Sequence, residues 1–220
     1  MRTASAAVVP DRDCSLCPRL VSFRERQRAS NLDWFNAPVP SFGGEAARLL
    51  IVGLAPGLRG ANRTGRPFTG DFAGVLLYRT LTKFGLAKGE YGERADDGLQ
   101  LVDCRITNAV RCVPPENKPE PAEVRNCNRF LAAEIKALPR LSALLALGAV
   151  AHHAVLSALG ERRKDFPFAH GGMHRLGCGL LLADSYHCSR YNTNTGKLTP
   201  AMFEAVIGEL ASWLSGSAPA

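Results

Sequence analysis

Four cysteines are spaced so that they could share one metal centre. Cys14 and Cys17 form a CxxC turn, and Cys112 and Cys127 follow with fourteen residues between them. Four thiolates suit either a tetrahedral zinc ion or a [4Fe–4S] cluster, and spacing alone does not separate the two. The chain carries seven cysteines. The odd number speaks against a disulfide framework and toward ligation. Cys104 and Cys178 sit in strand-like stretches and are expected in the core.

Two polar loops carry the remaining chemistry. The first, "GLAPGLRGANRTGRPFTGD" (53–71), holds Arg59, Arg63 and Arg66 and closes on one carboxylate, Asp71. It lacks the lysine of a phosphate-binding GxxxxGK[ST] loop and the glycine spacing of a dinucleotide loop. Asp71 also stands where a helix cap belongs. The second, "SYHCSRYNTNTGKLT" (185–199), gathers His187, Ser189, Arg190, Asn192 and Lys197 with several hydroxyls. Such groups suit polar recognition and contact with backbone phosphates.

These loops must be held by regular elements, and the hydrophobic pattern supplies them. "RLLIVGL" (48–54), "LVDCRITNAV" (101–110), "LSALLALG" (141–148) and "CGLLLADSYH" (178–187) are short, apolar and strand-like. Apolar residues recur at helical spacing over 71–86, 121–138, 149–160 and 199–214, and 19–29 is an arginine-rich helix. Proline and glycine make 36–44 a loop. Alternating strands and helices predict an α/β fold, a three-layer sandwich with a central four-stranded parallel sheet flanked by helices. Sites in such sheets lie at the carboxyl ends of the strands, where both polar loops fall.

Composition bounds the rest. At 220 residues the chain fits a single domain, with 1–13 expected as a flexible arm and 215–220 as a frayed tail. Hydrophobic residues make up 46%, yet no apolar run is long enough for a membrane span, and the apolar segment at the start is too short for a signal peptide. A cytoplasmic protein without membrane contact is expected. The net charge of +7 makes a polyanion a fitting partner, nucleic acid first.

Taken together, "GLAPG…GANRTGRPFTGD", "TNAVRC", "H-x-SR-x-NT-x-TGKLT" and the early CxxC resemble the iron–sulfur uracil-DNA glycosylases, family 5 (the B type) in particular. The resemblance runs from Cys14 to about Trp213. Family 4 has Glu where this chain has Leu54, and other branches of the superfamily have Asp or Asn where it has Ala55. The resemblance implies a uracil-DNA glycosylase-like fold and a structural [4Fe–4S] cluster on Cys14, Cys17, Cys112 and Cys127. It also implies a monomeric, nucleoid-associated enzyme that starts base excision repair by hydrolysing the N-glycosidic bond of uracil, and of other deaminated bases such as hypoxanthine, in DNA.

Roles follow from the same resemblance. Asp71 is implied to orient water or stabilise the sugar cation, His187 to donate to the uracil O2, and Asn108 to read the base edge. Phe68 would stack on the flipped base, and the backbone of Gly53, Leu54 and Ala55 would contact base or water. Arg63, Ser189, Arg190 and Asn192 would meet DNA, and Arg59 and Arg66 would meet phosphate or brace the loop. No lysine is placed as a Schiff-base nucleophile, so a monofunctional enzyme is expected. The last motif reads His187-Cys188-Ser189 where the wider superfamily often has His-Pro-Ser, and losing proline frees the backbone there. The stretch 111–118 has no histidine, which sets aside the branch that forms covalent DNA adducts. Two other classes remain: a non-catalytic iron–sulfur DNA-damage-binding protein on the same fold, and a zinc-bearing nucleic-acid module.

Overall fold

Each apolar segment forms the element its pattern predicts, and several short elements lie between them. In the computed structural model, whose residues 9–216 are described, the chain begins with helix α1 (Pro18–Ser30), strand β1 (Phe42–Gly43) and strand β2 (Leu49–Gly53). Helices α2 (Ala61–Thr64) and α3 (Phe72–Lys83) precede β3 (Ala87–Lys88), β4 (Gln100–Leu101) and β5 (Cys104–Asn108). Helix α4 (Pro121–Ala137), β6 (Ala143–Leu147) and α5 (Ala149–Leu159) lead to β7 (Met173–Arg175) and β8 (Leu181–Ser185). Helices α6 (Arg190–Asn194) and α7 (Pro200–Leu214) finish the fold.

The main sheet runs β1-β5-β2-β6-β8-β7. Its inner four strands, β5, β2, β6 and β8, are parallel and are the four that were predicted. Antiparallel edges β1 and β7 widen it to six. Neither edge is visible in sequence: two residues within a Pro/Gly-rich segment and three mixed residues have no period to read. The one-turn helices α2 and α6 escape for the same reason.

Strand alternation divides the core between two layers. Leu49, Ile51, Ala143, Leu145 and Ala183 face a cluster shared with α3 and α7. Leu50, Val52, Leu144, Ala146 and Leu182 face the cluster shared with α4 and α5. Helix α1 closes a third, smaller cluster through Leu20, against Val110 and Cys127. Proline at the first turn and a reciprocal Glu120–Glu123 capping box start α4, and left-handed Gly160 ends α5.

Three sequence expectations change here. Cys178 is exposed, in the turn before β8, whereas Cys104 is buried as expected. Residues 9–13 of the expected arm are tied down: Arg28 pairs with Asp13 at 2.6 Å and donates to the Arg12 carbonyl, and Pro10 is buried. Of the expected tail, Ser215 still donates its N–H to the Ala211 carbonyl. Residues 1–8 and 217–220 lie outside the described residues.

Candidate active site

A cavity of about 440 Å³ opens at the carboxyl end of the parallel strands, between the two polar loops. Its walls include Leu54 and Ala55 after β2, Phe68 and Asp71 before α3, Asn108 at the end of β5, and His187, Ser189 and Arg190 after β8. Elements far apart in sequence thus deliver their polar groups to one place, as the parallel topology requires.

Asp71 is the N-cap of α3, its Oδ1 accepting from the Gly74 N–H at 3.1 Å. That bond occupies one oxygen. The other faces Gly57 and Gly60, and a Cβ at Gly60 would come within 2.5 Å of it. No cation pairs with Asp71 among the described residues, and burial pushes its pKa above the ordinary carboxylate value against the pull of the cap. A half-buried, unpaired carboxylate in a cavity is suited to a cationic or water-bearing ligand.

His187 stacks on Phe68, with ring centroids 5.7 Å apart and planes inclined by 27°. Burial lowers its pKa to about 4, so at neutral pH the ring is an uncharged imidazole with one N–H to give. Asn192 donates its side-chain N–H to the His187 carbonyl at 2.8 Å and fixes that turn. Cys188, next in the chain, is wholly buried in the core. Its thiol packs as a small apolar group, so a buried side chain anchors the loop at the position where proline was missed.

Asn108 is 3% exposed, and its Oδ1 has no hydrogen-bond partner in the protein. A buried amide oxygen left unpaired is costly unless a ligand meets it. Gly53 makes its position possible, because a Cβ there would collide with that oxygen and with the Phe68 ring. Phe68 itself is strained, with φ of 52°. Tyr91 holds the strained turn, its hydroxyl donating to the Phe68 carbonyl at 3.0 Å and accepting from the Gly70 N–H. The Tyr78 hydroxyl donates to the Pro67 carbonyl.

The arginines of the first loop divide. Arg63 and Arg59 are exposed and outside the cavity wall. Arg66 is not available to phosphate. It is buried in a bidentate pair with Asp97 (2.7 and 2.6 Å) and lies over the rings of Phe42, Tyr78 and Tyr91. It braces the loop, because a buried guanidinium is tolerated only against an equally buried carboxylate. Ser189 caps α6, and Arg190 is exposed over Phe72. Asn192 does not line the cavity and acts through the His187 carbonyl. Sequence reasoning missed Asn117, which lines the cavity with φ of 57°, and the tyrosine pair. Only the left-handed preference of Asn in a proline-bracketed turn hinted at the first.

The four cysteines do converge. With Pro10, Leu20, Arg24, Val110, Arg111 and Phe130 they line a second cavity that shares no residue with the first. Donors reach three of the sulfurs: Arg24 to Cys112 at 3.5 Å, the Arg111 N–H to Cys127 at 3.3 Å, and Asn126 to Cys17 at 3.7 Å. The donor set, four thiols with hydrogen-bond donors on three of them, is chemically right for a metal centre.

A cavity at the strand ends that presents an unpaired carboxylate, an open amide and a neutral histidine lies where α/β enzymes carry their active sites. A family model described as the uracil DNA glycosylase superfamily matches residues 40–211, and the chain belongs to that superfamily. Within it, the chain groups with the type-5 branch. It is 47% identical over 201 residues to a protein named type-5 uracil-DNA glycosylase from Thermus thermophilus, covering 89% of this chain and 91% of that one. Proteins of the same name from Mycobacterium bovis and Pyrobaculum aerophilum are 42% and 40% identical, over 89% and 91% of this chain and 76% and 88% of their own.

Proposed function

We propose that the chain is a monofunctional uracil-DNA glycosylase, a single-domain enzyme that hydrolyses the N-glycosidic bond and leaves an abasic site. The observation that carries this reading is the convergence of Asp71, Asn108 and His187 on one cavity, where the Asn108 Oδ1 has no protein partner and Asp71 has no cation beside it. The base must leave the helical stack to enter. The open Oδ1 of Asn108 accepts the uracil ring N–H, and the amide N–H₂ donates to the adjacent carbonyl oxygen. Asp71 holds the attacking water and opposes the positive charge that grows on the sugar. Water adds to C1′ as the C1′–N1 bond breaks, and its proton passes to Asp71. The departing base carries the electron pair as an anion, which the neutral His187 N–H stabilises at O2.

No lysine lines the cavity, and Lys197 is exposed over the Tyr186 ring, which supports hydrolysis over a lyase step. Ala55 leaves room for larger bases, so hypoxanthine is a second substrate. The four cysteines hold a [4Fe–4S] cluster, a reading that the sulfur-directed donors support. Bound there, the cluster would cross-link α1 to α4 and the segment after β5. Its distance in lining from the catalytic cavity supports a structural role. No described helix is long and apolar enough to cross a membrane. The net charge of +7 supports a monomer working on nucleoid DNA in the cytoplasm.

The test is base release from an oligonucleotide carrying one uracil opposite guanine, in single turnover. Wild type should give strand breaks only after alkali, and Asp71→Asn and His187→Ala should each slow release about 100-fold or more. Undiminished release by Asp71→Asn would reduce that residue to a helix cap. Tight binding without release by wild type would make the chain a damage-binding protein instead.

A further inference from the structure

Three arginines are buried in the described fold: Arg24, Arg66 and Arg111. Two have carboxylates, Arg66 with Asp97 and Arg111 with Glu134 at 2.5 Å. Arg24 has none. It is 2% exposed on α1, seven residues and so about two helical turns after Cys17, on the same face. Its Nη2 donates to the Cys14 carbonyl at 3.0 Å and its Nη1 to the Cys112 sulfur at 3.5 Å. Its Nε is buried with no partner. Arg24 lines the cavity of the four cysteines.

A buried guanidinium without a counter-charge is not a stable arrangement, and neither is a cluster of half-buried and buried thiolates. Each answers the other. The remaining sulfur-directed donors, the Arg111 N–H and the Asn126 amide, are neutral; the Arg111 guanidinium turns to Glu134, a carboxylate it shares with Arg105, and acts on Cys127 only through space, so Arg24 is the side-chain cation in hydrogen-bond contact with a sulfur. We infer that Arg24 is the dedicated counter-charge of the four-cysteine centre, its guanidinium donating to the Cys112 thiolate and its free Nε reserved for the bound cluster. Arg24 is a positioning and charge-balancing residue, not a catalytic one. The inference rests on the cluster reading above. Hydrogen bonds and charge around the sulfurs are what set the potential and the retention of such centres.

The experiment begins with iron, sulfide and zinc content of the wild type. Zinc, or no metal, would overturn the cluster reading itself and with it this role. With the cluster present, its reduction potential and the rate at which its visible absorbance is lost in air are compared among wild type, Arg24→Gln and Arg24→Lys, each checked for folding by circular dichroism. Removing a positive charge disfavours the more reduced, more negative state. Arg24→Gln should therefore shift the potential to lower values and lose the cluster about 10- to 100-fold faster. Arg24→Lys, which keeps the charge, should hold the potential near wild type. A folded Arg24→Gln protein with the wild-type potential and cluster lifetime would overturn the inference. Should Arg24→Gln fail to fold, the lysine variant decides: a wild-type potential supports the charge role, and a clearly lower one overturns it.

Discussion

At the scale of single residues, the site depends on side chains kept short of partners. The Asn108 Oδ1 has no protein partner, Asp71 has no cation beside it, and His187 is held uncharged by burial. The protonation states then fix the pH profile. The proposed mechanism requires Asp71 ionised, and burial holds its pKa above the ordinary 3.8. His187, pushed down to about 4, stays neutral from there upward. Single-turnover base release should be flat above neutral pH and fall on the acid side, with a midpoint above 3.8 as Asp71 takes up its proton. A midpoint at 6.5, the unperturbed histidine value, would instead show a solvated His187 losing a proton.

At the scale of elements, the strained loop between β2 and α3 is held by partners outside it. Arg66 pairs with Asp97 from the segment before β4, and the Tyr78 and Tyr91 hydroxyls grip the backbone on either side of Phe68. Both members of the ion pair are about 5% exposed or less. Asp97→Ala would leave Arg66 buried and unpaired, and should destabilise the protein by about 3–5 kcal/mol in urea unfolding. Base release measured well below the melting temperature should also fall, because Phe68 loses its brace. A variant as stable as wild type would show that Arg66 reaches solvent. The sequence places the loop and its carboxylate, but it cannot tell a phosphate-seeking arginine from a buried one. That distinction depends on Asp97, thirty-one residues away.

Across the whole molecule, a second buried charge network ties β8 to its neighbours beneath the catalytic loop. His152 on α5 meets Asp184 at 2.7 Å and the Phe166 carbonyl at 2.9 Å, and His174 on β7 reaches the same carboxylate at 3.3 Å. Burial alone would lower the His152 pKa, but the hydrogen bond and charge of Asp184, with the Phe166 carbonyl, raise it above 6.5. A pKa raised on folding contributes stability below the unfolded value and loses it as pH rises through the folded one. The melting temperature should therefore decline as pH rises past 6.5, and His152→Gln should flatten that decline. An equal slope in both proteins would show that the pair does not titrate in this range.

The parallel core, its four flanking helices and the carboxyl-end loops were legible in the sequence, and Asp71, Asn108, His187 and the four cysteines stood out there as candidates that the fold gathers around two cavities. Those are written in local periodicity, in turn chemistry and in long motifs. What depends on distance between remote residues came from the fold. It placed Arg66 in a brace and Asn192 behind His187, it added the two edge strands, which are too short to carry a period, and it gathered the four cysteines around one cavity. Ligand spacing along a chain says which residues can meet, whereas the separation of their atoms, set by the packing of α1 and α4, says what they can hold.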